Sequence, residues 1–272
     1  MESIEGIVLR HSARGMTKLT GELPAGYCSR AAQEILSWPL GTVALLTGFD
    51  VGGAPETDGP TGTFVMAQAL RRLGFAPVVV SEPALCAYFE AQGFATHIVS
   101  PDDSVFSMEA LLDALAPVGI VSIERCGRNF HGLYCNMRGK DISGATSPID
   151  ELVVQAARRG IPTVGVGDGG NEIGMGNVAH AIARRLALEP CVVTVDNLVV
   201  ATVSNWGAYG IVAAMAQQAE RALLPAFDRI SSFYRFIVEN GSVDGTTGRR
   251  QLTVDGFSMD TERAVVEALQ RA

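Results

Sequence analysis

The chain has 272 residues, 47% of them hydrophobic and 18% charged, with a formal net charge of −8. That apolar content can bury a substantial core and excludes a disordered or low-complexity chain, while the absence of any Lys or Arg run speaks against nucleic acid as a partner. Five cysteines without a CxxC pair fit a reducing compartment with neither disulfides nor structural zinc. No apolar stretch reaches the roughly 18 residues of a membrane span, and residues 1–14 lack the apolar core of a secretory signal, so the expectation is a cytoplasmic protein without a membrane partner.

In chain order, Arg30–Leu36 reads as a helix within an N-terminal wrap (1–40). The core (41–200) opens with an apolar strand, Val43–Thr47, followed by a helix over Thr61–Leu73. Pro77–Val80 is a second strand, Pro83–Gln92 a helix stopped by Gly93, and His97–Val99 a third strand. Ser107–Leu115 is a helix with Ser107 as its expected N-cap, and Gly119–Ile123 a fourth strand. After an aperiodic loop, Glu124 to Ser147, come a helix over Pro148–Arg159, a fifth strand Thr163–Val166, a helix Asn177–Leu188 and a sixth strand Cys191–Val195. The C-terminal extension (201–272) carries helices over Asn205–Ala222 and Phe227–Glu239, a turn-rich stretch Gly241–Arg250 and a last helix from Thr261. Strands alternating with helices give βαβ units, hence a Rossmann-like three-layer α/β/α fold with a mainly parallel sheet, extra helices at both termini and a single domain over 1–272.

Three loops follow strands and so share one sheet edge, where open α/β sheets bind ligands. The first is Glu56-Thr57-Asp58-Gly59-Pro60-Thr61-Gly62-Thr63. It lacks the Lys of a phosphate-binding loop, and Glu56 with Asp58 offers hard oxygen donors to Mg²⁺ or another divalent cation, or to a substrate amine; Thr61 reads equally as a plain cap. In the second, Gly165-x-Gly167-x-x-Gly170 has the spacing of a dinucleotide fingerprint. Asp168 sits where a pyrophosphate would approach and Glu172 follows, so a nucleotide there needs a metal. The same residues read as acid/base or ammonium-binding groups, or as a turn capping the next helix. The third loop sets Arg125, Arg128, Arg138 and Lys140 within an otherwise acidic chain, and Arg suits bidentate carboxylate recognition. Cys126 and His131 have no visible third partner for a nucleophile–base pair.

Read together, Glu56-Thr57-Asp58-Gly59-Pro60-Thr61-Gly62, Glu124-Arg125-x-Gly127-Arg128 with Tyr134-x-Asn136-Met137-Arg138-Gly139, and Gly165-x-Gly167-Asp168-Gly169-Gly170-Asn171-Glu172 resemble the D-glutamate cyclase-like C-terminal domain family. The resemblance implies a lyase that converts D-glutamate to 5-oxo-D-proline with loss of water. Joined to the residue chemistry, it gives candidate catalytic groups Asp58, Asp168 and Glu172. Candidate substrate contacts are Thr57, Gly59, Thr61, Gly62, Glu124, Arg125, Arg128, Asn136, Arg138, Gly169, Gly170 and Asn171, and Glu56 with Asp58 is the candidate metal pair. The expected partner is a small amino-dicarboxylate; a homodimer stays open. Two further readings stay open as well: an amino-acid-binding regulatory module without turnover, and a metal-dependent hydrolase or nucleotide-handling enzyme.

Overall fold

The computed structural model describes residues 2–12, 14–186 and 188–272. Met1, Ala13 and Ala187, the last within the expected helix Asn177–Leu188, lie outside the described residues. Two N-terminal helices, α1 (Ile4–Val8) and α2 (Tyr27–Ser37), precede β1 (Thr42–Gly48), α3 (Pro60–Leu73), β2 (Ala76–Ser81), α4 (Pro83–Glu90) and β3 (Ala95–Ile98). The chain continues through α5 (Val105–Leu115), β4 (Gly119–Arg125), α6 (Asp150–Arg158), β5 (Thr163–Gly167), α7 (Ala179–Arg185) and β6 (Asn197–Val200). It ends with α8 (Ser204–Gln218), α9 (Phe227–Glu239), a hairpin of β7 (Thr253–Val254) and β8 (Phe257–Ser258), and α10 (Met259–Arg271).

All six long-sheet strands are parallel, in the order β3-β2-β1-β4-β5-β6. Strand residues alternate between two apolar layers. Val43, Leu45, Val121, Ile123, Val164 and Val166 pack with α2, α3, α8, α9 and α10, whereas Ala44, Leu46, Ile120 and Val200 pack with α5, α6 and α7. Helices therefore cover both faces of the sheet, as burial of a parallel sheet requires, and the architecture is a Rossmann-like three-layer α/β/α. The chain reverses its direction of travel across the sheet between the neighbours β1 and β4, so the loops leaving β1, β4, β5 and β6 converge on one edge. No helix among the described residues is long and apolar enough to cross a membrane.

Two expectations are corrected. The sixth strand is Asn197–Val200 rather than Cys191–Val195. Cys191, Val193 and Val195 of the earlier segment are buried, and the segment is tied to the loop after β5: the Cys191 amide donates to Gly170 O, and the Gly174 amide donates to Val193 O. The N-cap of α5 is Ser104, with Ser107 as the returning partner of a capping box. The β7–β8 hairpin, turned by Asp255 and Gly256 at positive φ, had no counterpart in the sequence reading.

Gly62 in α3 lies tight against α8: a Cβ there would stand 2.9 Å from Ala208 Cβ and 3.0 Å from Asn205 Cα. Gly62→Ala is therefore expected to lower the unfolding free energy by about 1–3 kcal/mol, measured by urea titration; an unchanged midpoint would contradict the close crossing.

Candidate active site

At the converging edge, Asp58 from the β1 loop, Glu124 from the end of β4 and Asp168 from the end of β5 place carboxylate oxygens within 4.8 Å of one another. Each reaches that point by a local backbone device. Gly59, at φ +90°, lets the β1 loop lie against β4, since a Cβ would meet Thr47 Oγ1 and Glu124 Cβ at 2.8 Å each. Glu124 is the extra residue where the β1–β4 register slips, and it takes a left-handed backbone at φ 45°. Such bulges re-aim side chains, and a strained non-glycine residue is held only by strong surroundings.

The start of α8 ties the cluster together. Asp58 Oδ1 accepts the Gly59 and Asn205 amides at 2.9 and 2.8 Å, and its Oδ2 accepts the Ser204 amide at 2.9 Å. That same Ser204 amide also lies 3.2 Å from Asp168 Oδ2, and the Ser204 hydroxyl donates to Glu124 at 2.5 Å. Asn205 Oδ1 accepts the Gly59 and Gly62 amides at 2.9 and 2.6 Å, and its Nδ2 donates to Thr57 O and Tyr234 Oη. Beneath, Glu262 accepts from Trp206, Tyr209 and Tyr234. Glu172 completes the group, accepting the Gly169 and Gly170 amides at 2.7 Å each.

Arg14 enters from the N-terminal segment, 2.6 Å from Asp168 and ion-paired to Asp255 on the hairpin turn. Burial lowers its affinity for the proton, but the charges of Asp168, Asp255 and Glu124 outweigh that and hold the guanidinium above its ordinary pKa. Burial, reinforced by neighbouring carboxylates, pushes Glu56 and Glu124 far up, and Asp168 also rises well above its usual range despite Arg14. Asp58 is pushed up to about 7 by burial and Asp255, against the amides that hold its anion. Burial raises Glu172 too, partly offset by its amide donors. With one guanidinium facing this many carboxyls among the described residues, the cluster must keep protons or take a cation.

Beside it lies a cavity of about 240 Å³ lined by Cys135 to Gly139, Gly169 to Asn171, Leu188 and Glu189. Asn136, Arg138, Gly169, Gly170 and Asn171 from the sequence reading therefore line one cavity. Asn171 Nδ2 donates to Cys135 O at 2.8 Å, while its buried Oδ1 has no partner. Asn136 Oδ1 closes the turn by accepting the Arg138 and Lys140 amides. The Arg138 side chain has no carboxylate partner among the described residues.

The other expected residues are placed differently. Arg125 is buried and forked onto Glu82, with two contacts of 2.7 Å, and also donates to Gly48 O and Ser147 O. Arg128 is engaged by Asp150 and Glu151. Both guanidiniums hold the β4 loop and stand away from the carboxyl cluster. The Gly59 and Gly62 amides are occupied by Asp58 and Asn205, so they offer no oxyanion cradle, and Thr61 Oγ1 is buried without a partner. Thr57 Oγ1 donates to Thr253 O. Glu56 is buried with Oε1 unpartnered. Burial pushes the Cys126 thiol up, which leaves no thiolate nucleophile. Arg14, Ser204, Asn205, Asp255 and Glu262 escaped the sequence reading. The Asp255-Gly256 pair, flanked by Thr253-Val254 and Phe257, was the available signal for a hairpin turn.

The sequence model of a family described as D-glutamate cyclase-like, C-terminal, matches residues 4–270. Human mitochondrial D-glutamate cyclase is 44% identical over 100 residues, a segment covering 35% of this chain and 16% of that protein. Among solved structures, the crystal structure of an actinorhodin polyketide ketoreductase variant with NADPH aligns at a TM-score of 0.32 and 16% identity, over 85% of this chain and 93% of that one.

The Arg125–Glu82 pair yields a direct check. Glu82→Gln would leave Arg125 buried without its counter-charge and is expected to cost about 3–5 kcal/mol in urea unfolding. In the parent protein, Glu82 has a lowered pKa, because Arg125 and the Ser147 amide outweigh burial; its stabilisation is complete above pH 4.5 and fades as the pH falls below that value. A neutral Glu82→Gln would show that Arg125 is not fixed by Glu82.

Proposed function

The chain belongs to the D-glutamate cyclase-like, C-terminal family, and on that premise we propose that it catalyses the dehydrating cyclisation of D-glutamate to 5-oxo-D-proline, as a hydro-lyase. The observation that carries this reading is the convergence of the Asp58, Glu124 and Asp168 carboxyls at the sheet edge, next to a small cavity lined in part by Arg138, which has no carboxylate partner among the described residues.

In the reaction the α-nitrogen attacks the γ-carboxyl carbon, a C–N bond forms, and a C–O bond breaks. The ammonium gives up two protons, and the departing oxygen takes both as water, so the chemistry balances without any other reactant. What the protein must provide is a proton relay and a fixed substrate, and both suit the residues present. Arg138 clamps the α-carboxylate. The Asn171 Oδ1 acceptor receives an ammonium N–H, satisfying an atom otherwise left without a partner. Glu172, buried beneath Gly169 and Gly170, takes a proton from nitrogen and returns it to the leaving oxygen. Asp58 and Asp168 set the field around it, and Arg14 offsets charge as the tetrahedral intermediate forms. A cavity of this size suits a molecule of glutamate's dimensions rather than a dinucleotide.

Purified protein incubated with D-glutamate and followed by NMR is expected to accumulate 5-oxo-D-proline. Glu172→Gln is expected to lower kcat by about 10²- to 10⁴-fold, with an unchanged circular dichroism spectrum. Saturable D-glutamate binding without product would make the chain a sensing module; product formation at full rate in Glu172→Gln would remove that residue from the relay.

A further inference from the structure

We propose that Asp58, Glu124 and Asp168, with Glu56 beside them, form a binding site for one hard divalent cation of the Mg²⁺ or Mn²⁺ kind. This rests on the same site as the proposed reaction but not on the reaction itself.

The three carboxylates come from the loop between β1 and α3, the end of β4 and the residue after β5, and converge to within 4.8 Å, so the fold, not a local run of acids, brings them together. A separate observation points to a missing partner. Glu56 is 6% exposed, and its Oε1 has no hydrogen-bond partner. Its carboxyl lies by Asp255, with both near Gly245, and Asp255 pairs with the Arg14 that also holds Asp168. Thr47 Oγ1 is a second buried, unpartnered oxygen, beside Glu124 at the point where Gly59 crosses β4. A buried polar atom left unsatisfied costs about 1–3 kcal/mol, and two around one carboxylate cluster ask for a common ligand.

The donor chemistry selects the ion. The converging set contains only carboxylate oxygen, with no His or Cys, which favours hard, oxygen-loving cations over zinc or copper. Asp58 is held as an acceptor by three backbone amides and Glu124 by the Ser204 hydroxyl, so both ligands are fixed before any ion arrives. When bound, the ion would neutralise the excess charge and polarise a substrate carboxylate oxygen. Proton transfer then stays with Glu172, which is not among the three converging ligands.

The test uses the intact chain, stripped with a chelator and titrated with Mn²⁺ alone, with free Mn²⁺ read by electron paramagnetic resonance. The expected result is saturation at a single ion per chain and affinity weakened about ten-fold or more in Glu124→Gln and in Asp168→Asn. Each variant is checked by circular dichroism, and Glu56→Gln, which alters no amide-holding group, serves as the variant least exposed to misfolding. Failure of the folded parent to take up Mn²⁺, or uptake unaltered in all three variants, would overturn the site. Mn²⁺ uptake without D-glutamate turnover would leave the site standing and remove the reaction; turnover by a parent protein that takes up no Mn²⁺ would do the reverse.

Discussion

Excess carboxylate charge, buried around the Arg14 guanidinium at the sheet edge, is the constraint that shapes this molecule. Left alone, such a cluster would repel itself or drag in water. The fold answers with oriented amides: Gly59, Ser204 and Asn205 point at Asp58, and Gly169 and Gly170 point at Glu172. Because Asn205 also binds the Gly59 and Gly62 amides and rests on Tyr234 and Glu262, the first loop, α8 and the C-terminal helices form one supporting frame. The C-terminal extension is thereby part of the site's architecture, although none of its residues was expected there.

The distribution of arginines follows from the same electrostatics. Arg125 and Arg128 are matched to carboxylates inside the fold and spend their hydrogen bonds on ordering the loop after β4. That ordering fixes Tyr134, whose hydroxyl donates to Asp150 at 2.6 Å, and sets the turn that carries Arg138 to the cavity wall. A loop that reads in sequence as a cluster of carboxylate clamps thus divides into two structural guanidiniums and one that faces the cavity. Arg14 also stands at the edge, paired with Asp168, and it arrives from a part of the chain with no periodicity of its own.

Much of this was legible from the residues. Short apolar runs bounded by glycine and proline located β1, β2, β4 and β5, because strands buried on both faces must be apolar throughout. Their carboxyl ends then placed Asp58, Glu124 and Asp168 on one edge. The misplaced sixth strand had a consequence: with Cys191–Val195 taken as the strand, Ser204 and Asn205 fell well past the edge, whereas Asn197–Val200 puts them directly on it. Arg14 and Glu262 were illegible for a different reason. Their partners lie far along the chain, 154 residues away for Arg14 and Asp168, and no local pattern encodes such a pairing. Likewise, nothing near Arg125 announces Glu82.

The central claim is that the carboxyl cluster and the cavity walled by Arg138 and Asn171 act as one substrate site. A crystal structure of the protein with 5-oxo-D-proline tests it most directly. The carboxylate of the product is expected against Arg138 and its lactam edge toward Asn171 and Glu172. Density instead in the more apolar cavity of about 300 Å³ beside Arg125 and Glu82, with the Arg138 cavity free of ligand, would contradict it.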